Sequence, residues 1–167
     1  MYTLGTYVMK VNEGICQIIE RTVLRDSGEA KEYYLLSPLE SPAVKVYVPV
    51  EHAEKSIRPV MTEAAARDLI GRIDAIEAFP LEDERHRDQQ YRRALHSGDP
   101  EQLVAMIKQT YLRNHKRSQQ GKKNTAVDSR FFQMAEERLY AELAFALQTD
   151  RKGVCALIQA QMQKHQA

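Results

Sequence analysis

The chain changes its sequence pattern near residues 55–61, and this change limits the folds open to it. Before it, short runs of β-branched and aromatic residues are separated by turn residues, which is typical of strands. After it, apolar residues recur at three- and four-residue spacing, which predicts amphipathic helices. Because strands and helices do not alternate, we do not expect a doubly wound parallel sheet. The sequence predicts an α+β protein, with a small curled antiparallel sheet in residues 1–58 and four to five helices in residues 59–167.

The clearest strand in the sheet module is Val44–Val50. Its four valines fall at alternate positions and therefore share one face, while Lys45 and Tyr47 point to the other. Pro49 has no N–H to donate to a neighbouring strand, which favours a place at the edge of the sheet.

Helix boundaries in the second module follow from capping residues. Thr62 is a candidate N-cap for a helix over about 63–73, and Ser97-Gly98 ends a second helix that begins near Asp83. Asp99-Pro100, Thr125 and Asp150 predict three further helix starts. The predicted apolar faces of the last two helices contain Phe132, Ala135, Leu139, Leu143 and Ala146, followed by Val154, Leu157, Ile158 and Met162.

Charge is unevenly distributed along these 167 residues, although the net charge is only +1. Residues 84–130 hold 11 basic and 5 acidic residues, and no acidic residue occurs between Leu103 and Val127. Residues 59–83 hold 2 basic and 6 acidic residues. A basic helical surface of this kind favours salt-dependent contact with phosphates. The alternative is a charged face that only meets solvent.

The sequence carries no motif typical of catalysis or of cofactor binding. We find no phosphate-binding loop, no dinucleotide fingerprint, no nucleophile elbow and no zinc-protease motif. The acidic triplet at residues 82–84 favours a helix N-terminus over a cation site. We therefore expect a protein that is not an enzyme, with no cofactor and no metal. The five histidines, at positions 52, 86, 96, 115 and 165, are isolated from one another, and Cys16 and Cys155 form no ligand cluster.

Sequence patterns also indicate where in the cell the protein is located. No apolar run is long enough to span a bilayer, and the N-terminus lacks the features of a signal peptide. Two widely separated cysteines fit a reducing compartment. We expect a cytoplasmic protein with no membrane partner.

Several segments resemble the CarD/CdnL family of bacterial transcription regulators. At the N-terminus these are Gly5-Thr6-Tyr7-Val8-Met9, Glu13-Gly14-Ile15-Cys16, Lys31-Glu32-Tyr33-Tyr34-Leu35-Leu36 and Val46-Tyr47-Val48-Pro49. Later segments in the order and spacing of the family are Ser97-Gly98-Asp99-Pro100-Glu101, Tyr111-Leu112-Arg113 and Glu142-Leu143-Ala144. The N-terminal part alone is also similar to the polymerase-interacting module of transcription-repair coupling factors, but this chain has no helicase motor.

The resemblance implies a function in transcription. The N-terminal module would be a Tudor-like sheet that docks on the RNA polymerase β subunit by strand addition. The helical module would contact promoter DNA near the upstream edge of the bubble, without sequence-specific readout, and so change open-complex stability. We expect a monomer. An alternative is a polymerase-binding adaptor whose helical domain recruits another protein rather than DNA.

Two departures from the family bear on this interpretation. Many members carry a Trp before the first basic helix, where this chain has residues 83–87 and contains no Trp at all. Tyr47 stands where an Arg is common in some relatives. In the family this Trp acts as a wedge against the exposed base at the bubble edge. Either another residue inserts here, His86 being one candidate, or the protein acts without a wedge.

These arguments define two sets of candidate site residues. The expected polymerase-binding residues are Lys45, Val46, Tyr47, Val48 and Pro49. The expected DNA-binding residues are Arg85, Arg87, Arg92, Arg93, Arg113, Lys116, Arg117, Lys122, Lys123 and Arg130.

Overall fold

The chain divides after Val60 into two units, Met1–Val60 and Met61–Ala167. The structure is a computed structural model and describes residues 1–80 and 84–164. The first unit is an antiparallel sheet and the second is helical, which confirms the predicted α+β class. In the described ranges, no helix has both the length and the apolar character needed to cross a membrane.

Five strands form one sheet in the spatial order β4-β3-β2-β1-β5, and all neighbouring strands run antiparallel. The strands are β1 Tyr7–Lys10, β2 Gly14–Asp26, β3 Glu29–Pro38, β4 Val46–Pro49 and β5 Ile57–Pro59. A 3-10 helix, Val50–Lys55, connects the last two strands. The sequence pattern did not single out β5, because three residues are too few to show an alternation.

Strands β2 and β3 form a long hairpin whose turn contains Ser27 and Gly28, both with positive φ. Their register shifts between Ile18 and Glu20, which is a β-bulge. The extra residue, Ile19, is left partly exposed, while Ile18 is fully buried. Beyond the bulge the apolar residues Val23 and Leu24 are exposed, so the buried part of β2 ends at Ile18.

The core of the sheet unit lies on one face of the strands. It consists of Val8, Cys16, Ile18, Tyr34, Leu36, Val48, Ala53 and Ile57. Burial raises the pKa of the Cys16 thiol to about 11, as does the charge of Glu13. Cys16 is thus a neutral, buried apolar residue, as its place in a strand predicts.

Five α-helices are described in the second unit. They are α1 Glu63–Gly71, α2 Arg87–Ser97, α3 Pro100–Gln119, α4 Ala126–Ala146 and α5 Arg151–Lys164. Short 3-10 turns occur at Ile73–Ala75 and Glu84–His86. The second helix was expected to begin near Asp83, which lies outside the described residues, and its α-helical part begins at Arg87.

Capping side chains fix most of these helix starts as predicted. Thr62, Asp99, Thr125 and Asp150 each accept an N–H from the first turn of the helix that follows. Gly98 follows α2 with a φ of 65°, a left-handed conformation that glycine adopts without steric cost. The helix boundaries are therefore set by local chemistry that the sequence contains.

The helical core differs from the predicted apolar faces at three positions. On α4 it is Phe131, 2% exposed, that is buried, and Phe132 is only half-buried. On α5, Val154 and Ile158 are buried, whereas Leu157 and Met162 are exposed. Ala135, Leu139 and Leu143 of the predicted α4 face are buried as expected, so the prediction was wrong there only in choosing Phe132 over its neighbour Phe131.

Candidate functional site

Strand β4 provides an open edge in the sheet unit. It pairs with β3 along residues Val46–Pro49, and it stands first in the strand order, so no strand of the unit pairs with its other side. The edge position predicted from Pro49 is confirmed. Unpaired backbone groups along such an edge can accept a strand from another protein.

The side chains of β4 alternate as the sequence predicts. Val48 is buried at 2% exposure, while Tyr47 is 49% exposed on the opposite face. The Tyr47 ring packs edge-on against Tyr33, with centroids 6.5 Å apart. Val44 was expected in the same valine face, but it precedes the strand and is exposed.

Lys45 lies just before β4 and is exposed. Its Nζ donates a hydrogen bond to the Pro42 carbonyl at 3.2 Å, so the ammonium group is held by its own loop. Tyr47 is consequently the side chain of this strand that offers the largest free apolar surface beside the open edge.

The helical unit contains a buried carboxylate at the start of α4. Asp128 is fully buried, and its Oδ2 accepts hydrogen bonds from Arg113 Nε at 2.9 Å and Thr125 Oγ1 at 2.7 Å. Its Oδ1 accepts from Tyr91 Oη at 3.0 Å. The Nε of Arg87 lies 3.0 Å from the same oxygen, with an angle too poor for a hydrogen bond, so this contact is an ion pair. We call these five residues the Asp128 network.

These close contacts shift the pKa values of Asp128 and Tyr91. Burial by itself raises the pKa of Asp128, but the hydrogen bonds it accepts and the Arg87 charge outweigh burial and hold that pKa below its usual value. Burial raises the pKa of Tyr91 to about 12, and the Asp128 charge acts in the same direction. At neutral pH the network therefore contains an ionised Asp128 and a neutral Tyr91.

Arg87 and Arg113 were both expected to bind DNA. The structure instead places their guanidinium groups on Asp128, with side chains only 11% and 13% exposed. They connect α2 and α3 to the N-terminus of α4. Their spacing in the sequence does not reveal this role, since the contact is tertiary; the sole signal was Asp128 itself, an isolated acid after a long acid-free run.

Arg92 and Arg130 come together above the buried ring of Phe131. Their guanidinium carbons lie 5.7 and 5.5 Å from the ring centroid, so a residue of α2 and a residue of α4 share one aromatic support. Both side chains are exposed, and Arg92 Nε also donates to Asp88 Oδ2 at 2.8 Å. We call this pair the Arg92–Arg130 surface.

The remaining predicted DNA-binding residues lie on the outside of the helical unit. Arg117 is half-buried, and its Nε donates to the Lys123 carbonyl at 3.1 Å, which ties the end of α3 to the loop before α4. The exposed members are Arg85, Arg93, Lys116, Lys122 and Lys123.

Two basic residues outside the predicted set have structural roles. Lys108 Nζ donates to the carbonyls of Asp74 and Ile76, and burial lowers the pKa of Lys108. The Arg138 guanidinium lies 3.5 Å from the Leu95 carbonyl at the end of α2. Basic residues of this unit therefore serve packing as well as meeting solvent.

The segment that replaces the family's Trp is only partly described. Glu84–His86 forms a 3-10 turn before α2, and Arg85 and His86 are both exposed. Glu82 and Asp83 of the acidic triplet lie outside the described residues, as does His165. Among the residues that are described, no group of three or more His, Cys, Asp or Glu side chains is arranged to hold a metal ion.

Comparison with known proteins identifies the sheet unit. Residues 2–61 match the family model of the CarD-like/TRCF RID domain. A search of curated proteins gave no match for the chain. The RID domain is a non-enzymatic domain that interacts with the β subunit of RNA polymerase. The matched residues coincide with the five-stranded unit that presents the β4 edge, so the sheet unit of this chain is similar to the CarD-like/TRCF RID domain.

Proposed function

We propose that the protein is a transcription regulator that binds the RNA polymerase β subunit and promoter DNA at the same time. The observation that carries the proposal is the match of residues 2–61 to the RID domain, together with the open edge of β4 in that unit. The sheet unit binds polymerase, and the helical unit contacts DNA near the upstream edge of the bubble. The combined contacts change the stability of the open complex, and the protein performs no chemistry of its own.

Polymerase binding in this proposal uses strand addition. A strand of the β subunit pairs with the free side of β4, and Tyr47 packs on the partner strand beside that pairing. Val48 faces the core and supports the geometry of the strand from within. The set of contacts comprises the backbone of Lys45–Pro49 and the Tyr47 ring.

The DNA contact in this proposal uses exposed cations and reads no sequence. The Arg92–Arg130 surface supplies two of these cations, and both guanidinium groups lie over the Phe131 ring. Arg87 and Arg113 act indirectly, by holding α2 and α3 to the start of α4. The other proposed phosphate contacts are Arg85, Arg93, Lys116, Arg117, Lys122 and Lys123.

A pull-down with an isolated lobe of the β subunit tests the polymerase contact. We expect Tyr47→Asp to lose the interaction, because it replaces the exposed Tyr47 ring beside the paired edge by a charge. Glu51→Gln, an exposed change just after β4, serves as the matched control and should bind normally. Retention of the lobe by a folded Tyr47→Asp variant, checked by circular dichroism, would exclude the β4 edge.

DNA binding is tested by the salt dependence of affinity for a fork-junction duplex. Arg130→Gln should lower the slope of log K against log salt by about 0.9, the value for one lost phosphate contact. Lys152→Gln on α5 removes an exposed charge outside the proposed set and should leave the slope unchanged. An absence of DNA affinity at low salt, with polymerase present, would favour the adaptor whose helical unit recruits a protein.

A further inference from the structure

The middle of α3 exposes two consecutive large apolar side chains. Tyr111 is 62% exposed and Leu112 is 55% exposed, the highest values for large apolar residues on the described helices. An exposed apolar pair on a helix that already buries its other face costs solvation free energy. Such a pair is typical of a surface that another molecule covers.

The Tyr111 ring is part of an ordered ridge along two turns of the helix. It stacks on the His115 ring with centroids 6.2 Å apart and planes 12° from parallel. The Gln119 amide lies one turn further, with its Nε2 3.2 Å from His115 Nε2. We call Tyr111, Leu112, His115, Lys116 and Gln119 the Tyr111 ridge.

Tyr111 faces away from the Asp128 network. Residues two apart on an α-helix point in directions about 200° apart. Arg113 points inward to Asp128, so Tyr111 is directed to the opposite side of α3. Tyr111 and its stacking partner His115 therefore lie on the side of α3 opposite Arg113, and the residues of the Arg92–Arg130 surface lie on α2 and α4.

Charge and shape together specify what can cover the ridge. Lys116 is exposed on it, and no acidic residue occurs in the sequence between Leu103 and Val127, so the local charge favours an anionic occupant. The flat π-face of Tyr111 suits another flat ring. Unpaired nucleotides supply both features, because every base has an exposed π-face once it leaves the duplex and each carries a phosphate. Intact duplex hides those faces in its own stack.

We infer that the Tyr111 ridge binds single-stranded nucleic acid, with an unpaired base stacked on Tyr111 and a neighbouring phosphate on Lys116. Leu112 covers the edge of the adjacent base or sugar. The inference rests on the proposed function, in which the helical unit lies beside melted promoter DNA. It adds a second contact surface, specific for unpaired strands rather than for duplex.

Fluorescence anisotropy with labelled oligothymidylate, and with a duplex of the same length, tests the inference on the full chain. Tyr111→Ala should weaken oligothymidylate binding by about 5- to 100-fold, the effect of losing one stacked base, and leave duplex affinity unchanged. Tyr111→Phe keeps the ring and should bind as the wild type does. Phe145→Ala removes an aromatic side chain that is 37% exposed on α4 and is the matched control.

Two further variants keep the test decisive. Tyr111→Leu retains apolar bulk and helix propensity but no π-face, so it should show the same loss as Tyr111→Ala even if the alanine variant is less stable. Lys116→Gln should lower the salt slope for oligothymidylate by about 0.7, whereas Tyr111→Ala should leave that slope as it is.

Each remaining outcome overturns either the inference or the proposed function, and the two are distinguishable. Oligothymidylate binding that is absent in the wild type, or unaffected by Tyr111→Ala and Tyr111→Leu, overturns the inference. Binding of a poly-glutamate peptide that depends on Tyr111, without oligothymidylate binding, indicates an acidic protein segment and also overturns it. If the wild-type protein binds oligothymidylate in a Tyr111-dependent way but does not bind the duplex, the proposed duplex contact is wrong and the inference about the Tyr111 ridge is supported.

Discussion

Asp128 shows how one buried residue organises three helices. Its carboxylate faces guanidinium groups from α2 and α3, and its own backbone N–H is capped by Thr125. Arg87, Arg113 and Asp128 together carry one more positive than negative charge, so removing the carboxylate leaves two cations facing each other in a poorly solvated place. The network therefore makes the start of α4 dependent on one side chain.

Replacement of Asp128 by Asn should lower the free energy of unfolding by about 3 to 5 kcal/mol, the range for breaking a buried ion pair on one side. Chemical denaturation of the helical unit, followed by circular dichroism at 222 nm, measures this change. Asp88→Asn is the matched control, because Asp88 pairs with Arg92 at the surface. Its expected cost is below about 1 kcal/mol; equal losses in the two variants would contradict the network.

Acid stability should report the same carboxylate. Because the folded pKa of Asp128 is depressed, its contribution is present above its unfolded pKa of about 4 and is lost as pH falls through the lower folded value. Unfolding free energies measured from neutral pH into the acid range should therefore fall more steeply in the wild type than in Asp128→Asn. Parallel curves for the two proteins would show that Asp128 is not stabilised as an anion.

At the scale of elements, local sequence chemistry predicted the starts of the helices and the edge strand. Thr62, Asp99 and Thr125 cap helices as expected, and Pro49 lies on an edge strand. The sequence did not predict the three-residue strand β5, nor the burial of Phe131 rather than Phe132, since both depend on contacts distant in sequence. Short strands and neighbouring apolar pairs are ambiguous until the packing partner is known.

The two threonine caps should differ in their contribution to stability. Thr125 accepts from the Asp128 N–H and also donates to the Asp128 carboxylate, whereas Thr62 only accepts from Ala65. Thr62→Ala should lower the free energy of unfolding by about 1 kcal/mol, a typical N-cap value. Thr125→Ala should lower it by about 2 kcal/mol, because both hydrogen bonds to Asp128 are lost. Thermal melts of the two variants make the comparison; a Thr125→Ala variant no less stable than Thr62→Ala would contradict the double role.

For the whole molecule, the net charge of +1 hides an uneven distribution of charge along the sequence. Basic residues are concentrated between 84 and 130, while the sheet unit is close to neutral. The family resemblance predicted the RID domain, and residues 2–61 match it. Sequence reasoning could not resolve which cations face solvent. Arg87 and Arg113 contact Asp128, whereas Arg92 and Arg130 are exposed.

The lifetime of the promoter open complex, measured with and without the protein, tests the central claim most directly. The account predicts that wild-type protein changes this lifetime, and that Tyr47→Asp loses the effect through the polymerase contact. The double variant Arg92→Gln with Arg130→Gln should lose most of it through the DNA contact while still binding the β-subunit lobe. A lifetime unchanged by the wild-type protein, or changed equally by all three proteins, would contradict the account.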